Sequence, residues 1–325
     1  MASRRARSMI SRSCSLPHVF LVGAAKAGTT SLARWLGAQP GLYLPALKEP
    51  HYFTPPPGRV PLSRPQPPVV RTLRRYHALY RRCSVGERGI DASTSYLCSS
   101  RAADAIRDAV GADVRVIGVL RDPVERAWSN YLNDVREGIE QRRFADAIAE
   151  EMRQPERCWG LDSVYLSGSR YADGLRRYVD TFGRERVLVV FFEDLMADPQ
   201  RWLPVIADFV GIDEALRGSP ELARENSYSV ARNGTAQRLL AAGWLRRAAR
   251  RLTPAALRMA MRRWLIVEST QRPPLEPALE QQLTDYFRAD VGAVAELLGV
   301  TPPWARYADE LASAQPAAIK RGTGP

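Results

Sequence analysis

Three short apolar runs punctuate the first two thirds of the chain: "HVFLVGA" from His18, "VRVIGVL" from Val114 and "RVLVVFF" from Arg186. Each is rich in β-branched residues and gives way to a turn and then to helical spacing. Buried parallel strands with crossover helices read this way, so the pattern predicts a three-layer α/β fold with a central parallel sheet flanked by helices. "GIDASTSYL", from Gly89, predicts a further strand with a short loop at its end. "TPPPGRVPLSRPQPPVV", from Thr54, holds seven prolines and predicts an extended surface loop. The C-terminal third reads as helical, closing with "LEPALEQQLTDYFRADVGAVAELLG", in which Leu279, Leu283, Tyr286 and Phe287 mark one apolar face. The expected organisation is a flexible basic tail over 1–17, one domain over 18–304 and a frayed tail over 305–325.

Composition changes this picture in one place. The chain of 325 residues carries a net charge of +12, and Arg238 to Trp264 alone holds eight arginines and no acid. That stretch suits solvated helices broken at Pro254, a nucleic-acid patch, a membrane-surface helix or a cradle for an anion. No apolar run approaches the roughly 18 residues that span a bilayer, and the basic start lacks the apolar core of a signal peptide. Four cysteines stand far apart without C-x-x-C spacing, which argues against zinc or a disulfide framework. A reducing, cytoplasmic setting is the expectation.

The candidate chemistry lies in two loops. After the first strand, Gly23 and Gly28 frame a turn like the nucleotide P-loop G-x-x-x-x-G-K-[ST], which makes the fold P-loop-like. Yet Thr29 holds the place of the P-loop lysine, and Lys26 stands inside the loop. Backbone N–H groups and the Thr29, Thr30 and Ser31 hydroxyls there can wrap a phosphate at a helix N-terminus. The second loop is "VLRDPVERAWSNY" from Val119, where Arg121 ends a strand, Asp122 is an N-cap and Pro123 opens a helix. Either alone also reads blandly, as a glycine turn or as an Arg–Asp surface pair before a capped helix.

Together, "KAGTTS" and "RDPVERAWSNY" resemble the two cofactor motifs of sulfotransferases that use 3′-phosphoadenosine 5′-phosphosulfate (PAPS), above all the heparan-sulfate type and its bacterial relatives. The resemblance continues through "KEPHYF", "FEDLMADPQRWLPVIADFVGI" and "RPPLEPALEQQL". It implies that Lys26, Ala27, Gly28, Thr29, Thr30 and Ser31 hold the 5′-phosphosulfate, with Lys26 also stabilising the leaving phosphate, and that Arg121 and Ser129 hold the 3′-phosphate. Arg232, in "SVARNGTAQRL", resembles a late cofactor-covering segment. Glu49 is implied as the base that deprotonates the acceptor, with His51 assisting, and in an extended segment both side chains face one way. Asp91 is followed by Ala92 where the eukaryotic enzymes usually carry a lysine. Asp91, Ser93, Ser95 and Tyr96 are the expected acceptor-cleft contacts, with the proline-rich loop as another wall.

The implied reaction moves a sulfuryl group to a hydroxyl of a carbohydrate, glycolipid or small metabolite and releases adenosine 3′,5′-bisphosphate (PAP), without a metal. One rival is a P-loop kinase using Glu193 and Asp194 for magnesium. Another is a basic nucleic-acid or membrane-surface module. Aromatic residues do not interleave the basic ones, so no nucleic-acid partner is expected. A peripheral membrane contact beside the enzyme function is the remaining partner expectation.

Overall fold

The computed structural model describes residues 16–54, 70–137, 139–153, 164–212, 229–231, 266–268 and 272–313. Arg232, the arginine-rich stretch, nearly all of the proline-rich loop and residues 1–15 lie outside the described residues.

The apolar runs form strands. β1 (Pro17–Gly23) is the centre of a five-stranded sheet with β2 (Leu42–Tyr43), β3 (Arg88–Asp91), β4 (Arg115–Leu120) and β5 (Val187–Phe191), in the order β2-β3-β1-β4-β5. All the pairings are parallel. Val19, Phe20, Leu21, Val22, Val116, Ile117, Val119 and Leu120 are buried, as both-faced coverage by helices requires. The helices that follow are α1 (Thr29–Gly37), α2 (Leu73–Leu79), α3 (Ala102–Val110), α4 (Pro123–Arg136), α5 (Phe144–Arg153), α6 (Ala172–Phe182), α7 (Phe192–Ala197) and α8 (Pro199–Val210). A separate antiparallel pair joins β6 (Ser229–Ala231) to β7 (Ile266–Glu268).

The strand order decides where a ligand goes. From β1 the chain moves first to one side of the sheet, through β2 and β3, and then to the other, through β4 and β5. The carboxyl end of β1 is therefore the topological switch point, where open sheets leave a crevice. The Lys26 loop follows β1 and the Arg121 loop follows β4, so the sheet delivers both to that crevice.

α9 (Pro277–Leu298) buries Leu283, Phe287, Val291, Val294 and Leu298 along one stripe. Leu279 packs at its margin, but Tyr286 is exposed, which corrects its expected place on the apolar face. Of the tail expected to fray over 305–325, the described part, to residue 313, is helical. A 3-10 turn (Ala305–Tyr307) and α10 (Ala308–Ser313) continue the domain. Trp304, Tyr307 and Leu311 are buried, and Arg306 pairs with Asp122 and Glu280. Cys83 is disulfide-bonded, and Cys98 Sγ donates to Ser95 O at 3.4 Å. The disulfide departs from the expectation, drawn from cysteine spacing, of no disulfide framework. No helix among the described residues is long and apolar enough to cross a membrane.

Candidate active site

The loop after β1 is built to receive an anion. Gly28 caps α1 at φ 81°, a left-handed conformation that suits glycine, and a Cβ there would stand 3.0 Å from the Phe192 ring. No side chain caps this helix and no acid lies in its first turn, so its leading N–H groups carry the positive dipole end to the crevice without a competing carboxylate. Lys26 is itself left-handed (φ 70°), and its Nζ donates to Asn133 Oδ1 of α4 at 3.2 Å. Arg136 donates to the same oxygen at 2.7 Å. Burial, then the charge of Arg136, lower the Lys26 pKa to about 8; Arg121 and Arg126 push the same way, and Asp134 opposes them.

The second motif closes over this loop. Asp122 Oδ1 accepts from Val124 N at 2.9 Å and Glu125 N at 3.1 Å, with Pro123 opening the helix. Arg121 Nη1 donates to Lys26 O at 3.3 Å, and its guanidinium lies 5.0 Å from the Phe192 ring centroid. Tyr171 OH, donating to Arg121 O at 2.9 Å, fixes the backbone. Burial, then the charge of Arg272, lower the Arg121 pKa. Ser129 follows two turns later on α4, half-buried.

Arg126, which sequence reading passed over, ties the two motifs together. It is fully buried and donates to Ala25 O at 3.1 Å, Val164 O at 2.9 Å, Tyr165 O at 3.0 Å and Ser169 Oγ at 3.1 Å. Gly168 is required beside it, since a Cβ there would meet the guanidinium at 2.6 Å. Arg126→Met strands these acceptors in the interior. A loss on the order of 3 kcal/mol is expected, read as a lower denaturant midpoint at unchanged slope.

Glu49 and His51 do come together, with Glu49 Oε2 3.5 Å from His51 Nε2. The route differs from the extended segment expected: His51 takes a left-handed φ of 50°, held by its N–H donating to Ser93 Oγ at 3.0 Å. Glu49 Oε2 accepts from Thr94 Oγ1 at 2.9 Å, and Oε1 accepts from Lys48 Nζ. Lys48 Nζ also donates to Thr30 Oγ1 at 3.2 Å, so one ammonium joins the carboxylate to the loop after β1. His51 Nδ1 lies 2.7 Å from Ser95 Oγ, and burial lowers the ring's pKa from the usual 6.5.

Asp91, Ser93, Ser95 and Tyr96, expected as acceptor contacts, are all buried. Asp91 accepts from Tyr76 OH at 2.6 Å, Tyr96 OH at 2.9 Å and Ser93 Oγ at 2.6 Å. Complete burial raises its pKa to about 6 against these hydrogen bonds. The four form a scaffold behind the Glu49–His51 pair: Ser95 orients the imidazole and Ser93 holds its backbone. They do not form an open wall, and Thr94, between the named serines, is the residue that reaches Glu49.

Glu193 has both oxygens engaged, accepting from Asp122 N and from Trp304 Nε1, each at 3.0 Å. It pins the second motif to the C-terminal segment, as a structural residue at a strand end does. Among the described residues, no group of three or more His, Cys, Asp or Glu could hold a metal ion.

A central parallel sheet flanked by helices, with two loops meeting at its switch point beside a carboxylate–histidine pair, is a P-loop-like fold, and comparison with known proteins specifies the family. The chain belongs to the sulfotransferase family: the family described as "Sulfotransferase domain" matches residues 16–238, more than half of it. It is similar to human heparan sulfate glucosamine 3-O-sulfotransferase 3B1, with 28% identity over 205 residues covering 62% of this chain and 48% of that protein. Human heparan sulfate glucosamine 3-O-sulfotransferase 6 is 27% identical over 198 residues, covering 60% and 52%. The chain thus spans about half the length of the curated relatives it matches. Among solved structures, a sulfotransferase from Alicyclobacillus acidocaldarius superposes with a TM-score of 0.64 at 27% identity, over 88% of this chain and 96% of that one.

Proposed function

We propose that this protein transfers a sulfuryl group from PAPS to a hydroxyl of a carbohydrate, glycolipid or small metabolite, releasing PAP. The observation that carries this reading is the continuity from Thr30, in the Lys26 loop, through Lys48 to Glu49, which sets an acceptor-side carboxylate beside that loop. Lys26 and the N–H groups of the Gly28 turn take the 5′-phosphate, and Arg121 with Ser129 takes the 3′-phosphate. Glu49 accepts the hydroxyl proton as the acceptor oxygen bonds to sulfur and the bond from sulfur to the bridging oxygen breaks. Lys26 stabilises the charge that develops on the departing phosphate. Lys48 sits between the loop and Glu49 and is the cation that meets the sulfuryl oxygens in this reading. His51 stays neutral at pH 7 and supports Glu49 from its far side.

The test is a thermal-shift titration with PAP, ATP and magnesium-ATP. PAP at 100 times its dissociation constant adds about 2.7 kcal/mol to the folded state. For a chain of this size the melting temperature then rises by about 4 °C without magnesium. Stabilisation by magnesium-ATP alone overturns the reading in favour of a kinase.

A further inference from the structure

Three guanidinium groups around the start of α4 share one carboxylate. Glu125 Oε2 lies 3.4 Å from Arg121 Nη2 and 2.5 Å from Arg272 Nη1, while Oε1 lies 3.6 Å from Arg306 Nη2. Arg121 precedes the N-cap of α4, and Ser129 stands one helical turn after Glu125. The Arg121 contact and the helical spacing to Ser129 therefore put Glu125 beside both residues to which the 3′-phosphate is assigned. The surface that would take the phosphate already holds an anion of the chain's own.

Two of the three cations are held incompletely. The bonds of Arg121 to Lys26 O and Glu125 measure 3.3 and 3.4 Å, longer than the roughly 2.7–2.9 Å of a good charge-assisted contact. Arg272 Nε is buried without an acceptor among the described residues. Arg306, in contrast, is committed to Asp122 at 2.6 Å and Glu280 at 2.7 Å. Arg121 and Arg272 thus keep donor capacity for a second anion, and Arg306 offers Glu125 a place to turn.

We propose that Glu125 is a built-in stand-in for the 3′-phosphate. It neutralises Arg121 and Arg272 before the nucleotide binds, yields them to the phosphate dianion by turning toward Arg306, and returns to help expel PAP. This rests on the PAPS reading above. A carboxylate that competes for the same guanidinium groups must weaken binding of any nucleotide bearing a 3′-phosphate, and must leave nucleotides without one unaffected.

Calorimetric titration of wild type and Glu125→Gln with PAP and with adenosine 5′-monophosphate tests this. The amide keeps the shape and removes the charge. PAP is expected to bind about tenfold tighter to the variant, while adenosine 5′-monophosphate changes less than about twofold. In Glu125→Gln/Arg272→Gln the gain should shrink, because the cation it exposes is gone. Unchanged PAP affinity in Glu125→Gln overturns the inference, and weaker affinity makes Glu125 a positioning residue for Arg121. Both results leave the PAPS reading standing, since wild type still binds PAP. Failure of wild type itself to bind PAP removes that reading, and this inference with it.

Discussion

Glu49→Gln is expected to lower turnover about 10²–10⁴-fold, the usual contribution of a positioned general base, while PAP affinity stays within about twofold of wild type. The amide fills the same volume and can still accept from Thr94, so the turn around His51 should hold. What it loses is the ability to take a proton from the acceptor. Glu49 suits this role because its oxygens are shared among Lys48, Thr94 and the His51 edge, and a carboxylate has about four lone-pair positions. Acceptor capacity remains for a hydroxyl. The measurement is PAP release from PAPS in the presence of any hydroxyl acceptor that wild type turns over, paired with PAP binding. Unchanged turnover would move the base to His51, whose lowered pKa keeps a neutral imidazole at pH 7. His51→Asn would then carry the loss instead.

What could be read from the chain, and what could not, follows from the range of each interaction. β1, β4 and β5 were visible because strands buried on both faces must be continuously apolar. The α4 entry was visible because an N-cap and a proline at the first helical position are local chemistry. The two loops proposed to hold the phosphates were visible as motifs. The contacts that make them a site were not, because the partners meet only through sheet topology. Lys26 and Asn133 are 107 residues apart, and Arg306 and Asp122 are 184 apart. A polar, alanine-rich tail looked frayed, although three residues in it decided the matter: Arg306 has two carboxylates to meet, and Tyr307 and Leu311 are buried. Asp91 and its neighbours looked like binding residues because hydroxyls and an acid in a loop often are. Tyr76, the phenol that turns Asp91 into a buried scaffold, lies on α2, beyond the proline-rich segment. The serines lie buried behind the Glu49–His51 pair, Ser93 on the His51 backbone and Ser95 on its ring.

Lys26→Ala is expected to reduce kcat by about 10²–10³-fold, the scale seen when one preorganised stabilising group is removed, with a smaller effect on PAP binding. The asymmetry follows from the role proposed for Lys26. Arg121, Arg126 and Arg136 act on it electrostatically and still supply the ground-state attraction when it is gone, but Lys26 is the cation proposed to meet the bridging oxygen from inside the loop. The same crowding gives a pH signature. With the pKa lowered to about 8, Lys26 is largely charged at pH 7 and largely neutral at pH 9. A bound phosphate stabilises the charged form and raises that pKa, so binding takes up a proton above pH 8. PAP affinity should therefore be flat below about pH 7 and fall by up to about tenfold per unit above pH 8, until the pKa of the bound form is reached. In Lys26→Ala this fall should disappear. A wild-type affinity that stays level from pH 7 to pH 9 would mean that Lys26 does not meet the phosphate, and an unchanged kcat in Lys26→Ala would remove it from the leaving-group role.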